Sequence, residues 1–302
     1  MNKNNITLSI LAAKTDVLWI NQMLHHICGA HREYVDKILV FVDSAPLGPV
    51  FHNRPGIGNL KQLKEILRKI KSEGLIDDVI EINYNTKVRK QIYKKYFGYD
   101  LGVTHSFRGC PVYGSIYAIE NTESDYVLHF DSDILFHQSH NINWLKEAIG
   151  LLLNNPDIMF VAPHPGPPRQ DGELQQHGLK YTKKETYFSF DDFSSRIYFL
   201  SKRKLEKLLP IIPQYISWKR KLFQFLTGKS ALRPWEINIT YQIKAKKYIR
   251  ADLRNPEAWT IHTPDHGPDF VKNLPAIIQK VESGWFPESQ AGDYDLILKD
   301  WL

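Results

Sequence analysis

The chain has 302 residues, of which 43% are hydrophobic and 24% are charged, with 17 Gly and 17 Pro. This length and composition exclude wholesale disorder and fit one large α/β domain or two small ones. The 39 Lys and Arg residues exceed the 33 Asp and Glu residues and give a formal charge of +6. That charge suits an anionic ligand, a nucleotide or a membrane surface. No basic run is long enough to indicate nucleic acid as a partner.

Cysteine content and hydropathy favour a cytoplasmic protein. Cys28 and Cys110 show no pairing or metal-ligand spacing, whereas a secreted chain of this size more often carries several disulfides. We expect both thiols to be buried as small apolar side chains. The apolar segment from Ile6 to Ala13 is too short to span a bilayer and lacks a signal-peptide cleavage site. We therefore expect a cytoplasmic protein that is soluble or attached peripherally to the inner face of the membrane.

Strands and helices alternate over the first eighty residues. Apolar and β-branched patterns predict strands at 6–11, 37–42 and 78–82. Helical spacing predicts a helix after an N-cap at Thr15-Asp16 and a second helix over 60–72. This alternation predicts a mostly parallel, doubly wound sheet with helices on both faces.

The same alternation continues to residue 162. The patterns predict a helix over 114–121, a strand over 126–130, a helix over 144–153 and a strand over 158–162. From Pro163 the chain becomes rich in Pro, Gly and charged residues, so a loose boundary falls there.

Asp131-Ser132-Asp133 directly follows the apolar strand 126–130. Ligands of an open α/β sheet bind outside the carboxyl ends of its strands, so both carboxylates are expected to face a ligand. Their oxygens suit a hard divalent cation, which would offset negative charge on a departing diphosphate. The alternative is that one aspartate only caps the next turn, which is common at strand ends.

Three segments together resemble the family 2 type of GT-A glycosyltransferase. They are Phe41 to Ser44, Gly114 to Asn121, and Tyr126 to Asp133. The resemblance covers residue 6 to about 136, somewhat under half of the chain. It implies the GT-A fold, a nucleotide-sugar donor, most often a UDP-sugar, and Mn²⁺ or Mg²⁺ as cofactor. It also implies a nucleotide-sugar-binding half over 1–162 and an acceptor-binding and catalytic half over 163–302, continuous as one domain.

The resemblance implies roles for particular residues. Asp43 would contact the base, Asp131 the donor ribose or sugar, and Asp133 the metal, with Asp131 as a further metal ligand. The first loop departs from the family, because Ala12 to Thr15 stands where a Pro and an Asn-Glu pair are usual. This departure leaves the choice between UDP and GDP open. The residues expected around the donor are Ala12, Asp43, Arg108, Gly114, Asp131 and Ser132.

Candidate bases lie in the second half. Inverting sugar transfer needs a carboxylate that takes the proton of the acceptor hydroxyl. Glu236 begins an apolar-periodic stretch and resembles the base of such enzymes, although the helix dipole alone would also favour a glutamate there. Asp191 and Asp192 are rival candidates, or they form a solvated turn.

A late histidine completes the metal site in many GT-A enzymes. His262, on a short strand predicted over 259–261, resembles that ligand. His266 is the substitute candidate, and for each of them an ordinary surface or core role is the alternative.

The segment from Tyr215 to Leu226 places aromatic side chains beside three consecutive cations, Lys219 to Lys221. One interpretation is a helix that packs on the core and has a basic outer edge. A second is a helix that lies on an anionic membrane, which would fit a lipid-linked acceptor. In a third, Trp218 and Phe223 line an acceptor groove.

The leading hypothesis is a metal-dependent, hexosyltransferase-like enzyme of polysaccharide biosynthesis. It would move a sugar from a nucleotide-sugar donor to a hydroxyl of a glycan or lipid-linked glycan, with inversion and with Glu236 as base. A nucleotidyltransferase acting on a sugar phosphate is one alternative, but the loop from Leu11 to Thr15 lacks the glycines of that class. A non-catalytic glycan-binding module of the same fold is the other.

Overall fold

A computed structural model describes residues 5–48, 51, 56–175 and 180–302 of the chain. The two predicted halves also contain 1–4, 49–50, 52–55 and 176–179, which lie outside the described residues. The strands are β1 (Ile6–Ala13), β2 (Lys37–Asp43), β3 (Asp78–Glu81), β4 (Tyr126–Asp131), β5 (Ile134–Gln138), β6 (Ile158–Ala162), β7 (His164–Pro165), β8 (Thr182–Lys183), β9 (Tyr187–Phe190), β10 (Ile197–Ser201), β11 (Ile249–Leu253) and β12 (Ala258–His262). The helices are α1 (Ile20–His31), α2 (Leu60–Ser72), α3 (Thr86–Phe97), α4 (Tyr113–Glu120), α5 (Trp144–Asn154), α6 (Lys202–Leu205), α7 (Trp218–Thr227), α8 (Trp235–Lys246) and α9 (Pro268–Glu282).

Within the described residues, nine strands form one sheet in the order β3-β2-β1-β4-β10-β6-β11-β9-β8. β10 runs antiparallel to β4 and β6, and β9 runs antiparallel to β11 and β8. The other neighbouring pairs are parallel, so seven of these nine strands point in one direction. This topology confirms the predicted α/β class with a mostly parallel sheet.

The large sheet is covered on both faces, as its apolar strands require. Alternate residues of β2 show this: Ile38 and Val40 join the core under α1 and α2, whereas Leu39 and Phe41 join the core under α3 and α4. β10 comes from the second predicted half and lies between two strands of the first. The boundary near residue 163 stays a prediction.

A second sheet has three strands among the described residues, in the order β5-β12-β7. β12 runs antiparallel to β5 and places His262 opposite Ile134. Because Ile134 directly follows Asp133, this pairing brings the late histidine to the aspartate pair.

Several predicted elements have the expected bounds, among them the helix over 60–72 and the strand over 158–162. The predicted N-cap at Thr15-Asp16 is wrong. Residues 14–16 form a 3-10 turn and α1 begins only at Ile20. The Asp16 carboxylate accepts the amide N–H of Ala13 at 2.9 Å, so it closes the 3-10 turn and does not cap α1.

The helix predicted within 215–226 is α7, but its two described aromatic side chains do not pack on the core. Trp218 and Phe223 are both exposed, which contradicts the core-facing interpretation. None of the helices in the described part of the chain has the length and apolar character of a membrane span.

Candidate active site

Three parallel strands end side by side and place predicted residues at one edge of the sheet. In the register of β1 with its neighbours, Ala13 lies opposite Asp43 of β2, and Leu11 lies opposite Asp131 of β4. A cleft opens at this edge, and the loop after Leu101 and the start of α8 form its other walls. This is the place where an open α/β sheet binds its ligand.

Two histidines approach the second aspartate of the pair. Asp133 follows β4 in a two-residue turn, and its carbonyl oxygen accepts hydrogen bonds from the amide and hydroxyl of Thr263 at 3.1 and 2.8 Å. With the loop fixed in this way, His266 Nε2 lies 3.2 Å from Asp133 Oδ2 and His262 Nε2 lies 3.9 Å from the same oxygen. Both rings therefore present a nitrogen to one carboxylate.

The remaining nitrogen of His262 has a partner of its own. Its Nδ1 lies 2.6 Å from Asp295 Oδ1, and His262 lowers the pKa of that carboxyl. A carboxylate that accepts the Nδ1–H leaves Nε2 with a free lone pair, which is the usual arrangement behind a metal-bound histidine. His266 instead stacks on Trp19, with ring centroids 4.3 Å apart.

The donor set around Asp133 fits a divalent cation. Ligands about 2.1 Å from an octahedral ion lie roughly 3 Å apart, close to the spacing of the Asp133 oxygen and the His266 nitrogen. A mixed carboxylate and imidazole set fits Mn²⁺ better than Mg²⁺, since Mg²⁺ is bound mainly through oxygen. In the described part of the chain, no three His, Cys, Asp or Glu side chains already form a group able to hold a metal ion. The fit therefore rests on two pairs of donor atoms, Asp133 Oδ2 with His266 Nε2 and Asp133 Oδ2 with His262 Nε2.

Asp131 and Asp16 flank the turn. Asp131 lies 3.1 Å from Nε2 of His129, a buried ring beneath it, and keeps more than a third of its side chain exposed. Asp16 is buried beside Ala13 and Thr15 and accepts the Ser132 hydroxyl at 3.1 Å. Burial raises the pKa of Asp16 to about 6, and the nearby charge of Asp133 acts in the same direction.

Asp43 carries a network that the sequence did not indicate. One of its oxygens accepts the Tyr84 hydroxyl at 2.7 Å and the Ala45 amide at 2.9 Å, and the other lies 3.1 Å from His105 Nε2. Burial opposes ionisation, but the bonds from His105 and Tyr84 outweigh it and lower the pKa of Asp43. The carboxylate is thus held ionised and oriented at the cleft wall.

Glu236 faces the aspartate pair from the other wall. It is the second residue of α8, follows Pro234 and is half-buried. Burial is the main cause that raises its pKa, and the charges of Asp192 and Asp131 add to it, while Arg196 and Arg250 act against it. A glutamate with a raised pKa is a stronger base than an ordinary one once it is ionised.

A smaller cavity adjoins the cleft and shares Glu236 and Arg196 with it. At its base, the buried Arg250 guanidinium donates to Asp252 at 2.9 Å and pairs with Asp192 at 3.1 Å. It also lies 4.2 Å above the Phe190 ring. The Tyr294 ring completes the lining, and its buried hydroxyl has no hydrogen-bond partner among the described residues.

The structure brings most of the predicted site residues together. Glu236 lies in both cavities, whereas Asp192 lines only the smaller one. Asp191 pairs with Lys244 at 3.3 Å and lines neither, and Gly114 packs below the cleft, where a Cβ atom would lie 3.1 Å from Ile82. The remaining predicted residues all line the larger cleft: Ala12, Asp43, Arg108, Asp131, Ser132, Asp133, His262 and His266.

Other residues of this region were not predicted. Asp295 and Tyr294 lie in an irregular stretch far along the chain, where only the tertiary fold brings them to His262. The sequence indicates a site role for His105 and Asp16 only weakly, because each lies near the end of a segment that faces the cleft. Cys110 was expected to be buried but is half-exposed at the cleft wall, whereas Cys28 is buried as predicted.

Comparison with solved structures assigns the fold. GalNAc-T7, solved with UDP, GalNAc and Mn²⁺, superposes with a TM-score of 0.50 over 86% of this chain and 44% of that one, at 14% sequence identity. The chain has the GT-A fold. It spans less than half the length of GalNAc-T7, and no family model and no curated protein sequence matches it.

Two further structures are similar at lower scores. A mannosyltransferase from Pyrobaculum calidifontis, in complex with GDP-Man and Mn²⁺, has a TM-score of 0.46 at 10% identity and covers 92% of this chain and 62% of that one. The inositol-1-phosphate CTP transferase from T. maritima has the same TM-score and identity and covers 94% and 98%. At this level of similarity, neither structure distinguishes sugar transfer from nucleotidyl transfer.

Proposed function

We propose that this protein is a glycosyltransferase that moves a sugar from a nucleotide-sugar donor to a hydroxyl of a glycan or lipid-linked glycan. A UDP-sugar is the first candidate for the donor. One observation carries the proposal. In a GT-A fold, a single cleft joins the Asp133 and histidine cluster on one wall to the half-buried Glu236 on the other. A charged donor and a proton acceptor for its attacking partner therefore have places within one cavity.

Glu236 is the proposed base. As the acceptor oxygen bonds to the anomeric carbon, the bond from that carbon to the diphosphate oxygen breaks, and Glu236 takes the hydroxyl proton. Attack from the face opposite the diphosphate would invert the anomeric centre. Burial raises the pKa of Glu236, which makes it a stronger base when ionised, and the charge of Arg196 opposes that rise in part.

On the opposite wall, the proposed holders of a divalent cation are Asp133, Asp131 and His262, with His266 as the nearer imidazole. When bound, the ion supplies Lewis-acid stabilisation of charge on the departing diphosphate. Asp295 orients the His262 ring, and Thr263 fixes the carbonyl of Asp133, so the chain prepares its own donors.

The donor nucleotide is proposed to lie along the ends of β1, β2 and β4. Ala12 and Ser132 line this part of the cleft, and the ionised Asp43 can accept an N–H of the base. Arg108 is exposed at the rim and lies 5.4 Å from the Phe107 ring, from where it can reach the diphosphate. This arrangement supports a nucleotide donor.

The acceptor is proposed to enter the smaller cavity. The Tyr294 hydroxyl and the carboxylates of Asp192 and Asp252 can bond sugar hydroxyls there, next to Glu236. Asp192 is better suited to this role than to that of base, because it is already paired with Arg250. A lipid-linked acceptor would further require the protein to approach a bilayer.

The direct test is a turnover assay of the purified protein with UDP-, GDP-, CDP- and dTDP-sugars, each with Mn²⁺, with Mg²⁺ or with EDTA. We expect metal-dependent release of a nucleoside diphosphate from one donor, and lower activity in Mg²⁺ than in Mn²⁺. Isothermal titration with the corresponding nucleoside diphosphates gives binding independently of turnover.

Three other results would reject the proposal. No binding and no hydrolysis across all donors would exclude sugar transfer. Release of pyrophosphate from a nucleoside triphosphate and a sugar phosphate would assign a nucleotidyltransferase instead. Glycan binding that Glu236→Gln leaves unchanged, in a protein that never turns over a donor, would assign a binding module.

A further inference from the structure

α7 is attached to the protein through a polar side chain. Among the described side chains of this helix, only Gln224 is buried. Its amide nitrogen donates to the carbonyl of Leu101 at 3.0 Å, and its amide oxygen accepts the N–H of Ala231 at 2.8 Å. A surface helix normally packs an apolar stripe against the core, and the described side chains of α7 form no such stripe.

Four large apolar side chains of α7 point the other way. The exposed fractions are 69% for Trp218, 57% for Leu222, 54% for Phe223 and 84% for Leu226. At about 100° per residue, these four positions fall within an arc of roughly 140°, and Gln224 lies opposite its centre. The helix therefore presents a largely apolar face to its surroundings, with the exposed Lys219 inside the same arc, and we name this surface the α7 face.

The same region carries the net charge of the protein. From Lys207 to Trp235 the sequence has six basic and no acidic residues, so the rest of the chain is balanced at 33 of each sign. Lys219, Arg220 and Lys229 are exposed and form no ion pair with another described residue. Positive charge thus lies within and beside the α7 face, and no carboxylate of the described residues pairs with these three side chains.

We propose that the α7 face docks on an anionic lipid bilayer. Exposed Trp and Leu on one side of a helix, with Lys and Arg around them, are the features of a helix that lies in a membrane interface. A second copy of this chain is a poorer partner, since it would bring two positive surfaces together. The proposal does not depend on glycosyl transfer.

Docking there would hold the cleft close to the lipid headgroups. Beyond Ala231 the chain continues through Leu232, whose carbonyl accepts the Phe107 amide at 2.8 Å, to Pro234 and the base helix α8. The loop with Arg108 and the helix with Glu236 are thereby tied to the same short segment as the α7 face.

Vesicle co-sedimentation of the full chain tests this, with phosphatidylcholine alone and with phosphatidylcholine mixed with phosphatidylglycerol. We expect binding to the mixed vesicles that falls as salt is raised, and at least about tenfold weaker binding to phosphatidylcholine alone. Leu226→Ser should weaken binding by about tenfold, because it removes one buried leucine from the interface. Leu153→Ser is the matched control, a leucine 70% exposed on α5.

Charge reversal gives a second matched pair. Lys219→Glu with Arg220→Glu should lower binding to the mixed vesicles by more than about tenfold. Lys61→Glu with Arg68→Glu makes the same charge change on exposed positions of α2 and should have a much smaller effect. Equal losses in both members of either pair, or no binding of the wild type to mixed vesicles, would overturn the proposal. Concentration-dependent dimerisation abolished by Leu226→Ser would identify a second copy as the partner instead.

Discussion

The carboxylates on the two walls of the cleft have different partners. On the wall formed by the turn after β4, Asp133 faces the imidazoles of His262 and His266. On the wall formed by α8, Glu236 and its neighbour Asp192 face the guanidinium groups of Arg196 and Arg250. Both walls combine carboxylates with nitrogen-containing side chains, but these are imidazoles on one wall and guanidinium groups on the other.

The difference separates two kinds of chemistry. A neutral imidazole has a lone pair and can bind a metal, whereas a guanidinium stays protonated and only donates hydrogen bonds. The histidine wall can thus receive a cation, and the arginine wall cannot. The arginines instead oppose the effect of burial, which raises the pKa values of Glu236 and Asp252.

Glu236→Gln should give the largest effect on turnover, up to about 10⁴-fold in kcat, since a positioned base contributes that much at most. Glutamine keeps the shape of the side chain and cannot take a proton. Steady-state kinetics checks the loss, and titration with the nucleoside diphosphate should give an unchanged Kd. If Asp191→Asn or Asp192→Asn were the more damaging change, the base would be misassigned.

Asp133→Asn should lower metal-dependent turnover by about 10³-fold, because several kcal/mol of charge stabilisation depend on the ion. Binding of Mn²⁺ should weaken in parallel, which a titration of the protein with Mn²⁺ alone measures. Asp191→Asn is the control, since Asp191 pairs with Lys244 outside both cavities. Intact metal-dependent activity in Asp133→Asn would show that the proposed metal site is wrong.

Asp295→Asn should weaken Mn²⁺ affinity about 10- to 100-fold, because the carboxylate behind a metal-bound histidine contributes by that amount. Asp269→Asn, an exposed aspartate in the first turn of α9, should leave the affinity unchanged. If His266→Ala abolished Mn²⁺ binding while Asp295→Asn and His262→Ala did not, His266 would be the ligand and Asp295 would have only a structural part.

Asp192→Asn should give the smallest effect, a shift of the acid limb of the pH–rate profile to lower pH. The negative charge of Asp192 raises the pKa of Glu236, and its removal also frees the charge of Arg250, which lowers that pKa. Since the base must be ionised, activity would persist to lower pH. Asp191→Asn should leave the limb in place, and a shift to higher pH in Asp192→Asn would contradict this account of the arginine wall.

Local patterns predicted many of the helices and strands of the first half of the chain. The helix over 60–72 was found because its apolar residues recur at helical spacing, and the strand over 158–162 because it is an unbroken apolar run. Asp131 and Asp133 could be placed at the sheet edge because parallel strands end together. Such features are set by neighbours in sequence.

The elements that were missed depend on distant partners. β5 begins directly after the two-residue turn at 132–133, and it is a strand because it pairs with β12, more than a hundred residues away. α3 is polar on most of its surface, and its apolar residues recur only weakly at helical spacing. Its buried residues Tyr93, Tyr96 and Phe97 therefore gave no recognisable helix pattern in the sequence. Asp295 reaches His262 only once α9 has reversed the chain.

The position of β10 has a consequence for how this chain can be divided. A fragment that stops at residue 162 would have β4 and β6 but not the strand that lies between them, and each would keep an open row of amide and carbonyl groups. Unpaired apolar strand edges recruit other chains. We expect this fragment to aggregate during refolding, and the intact chain to join β4 to β6 only after residue 201 has left the ribosome.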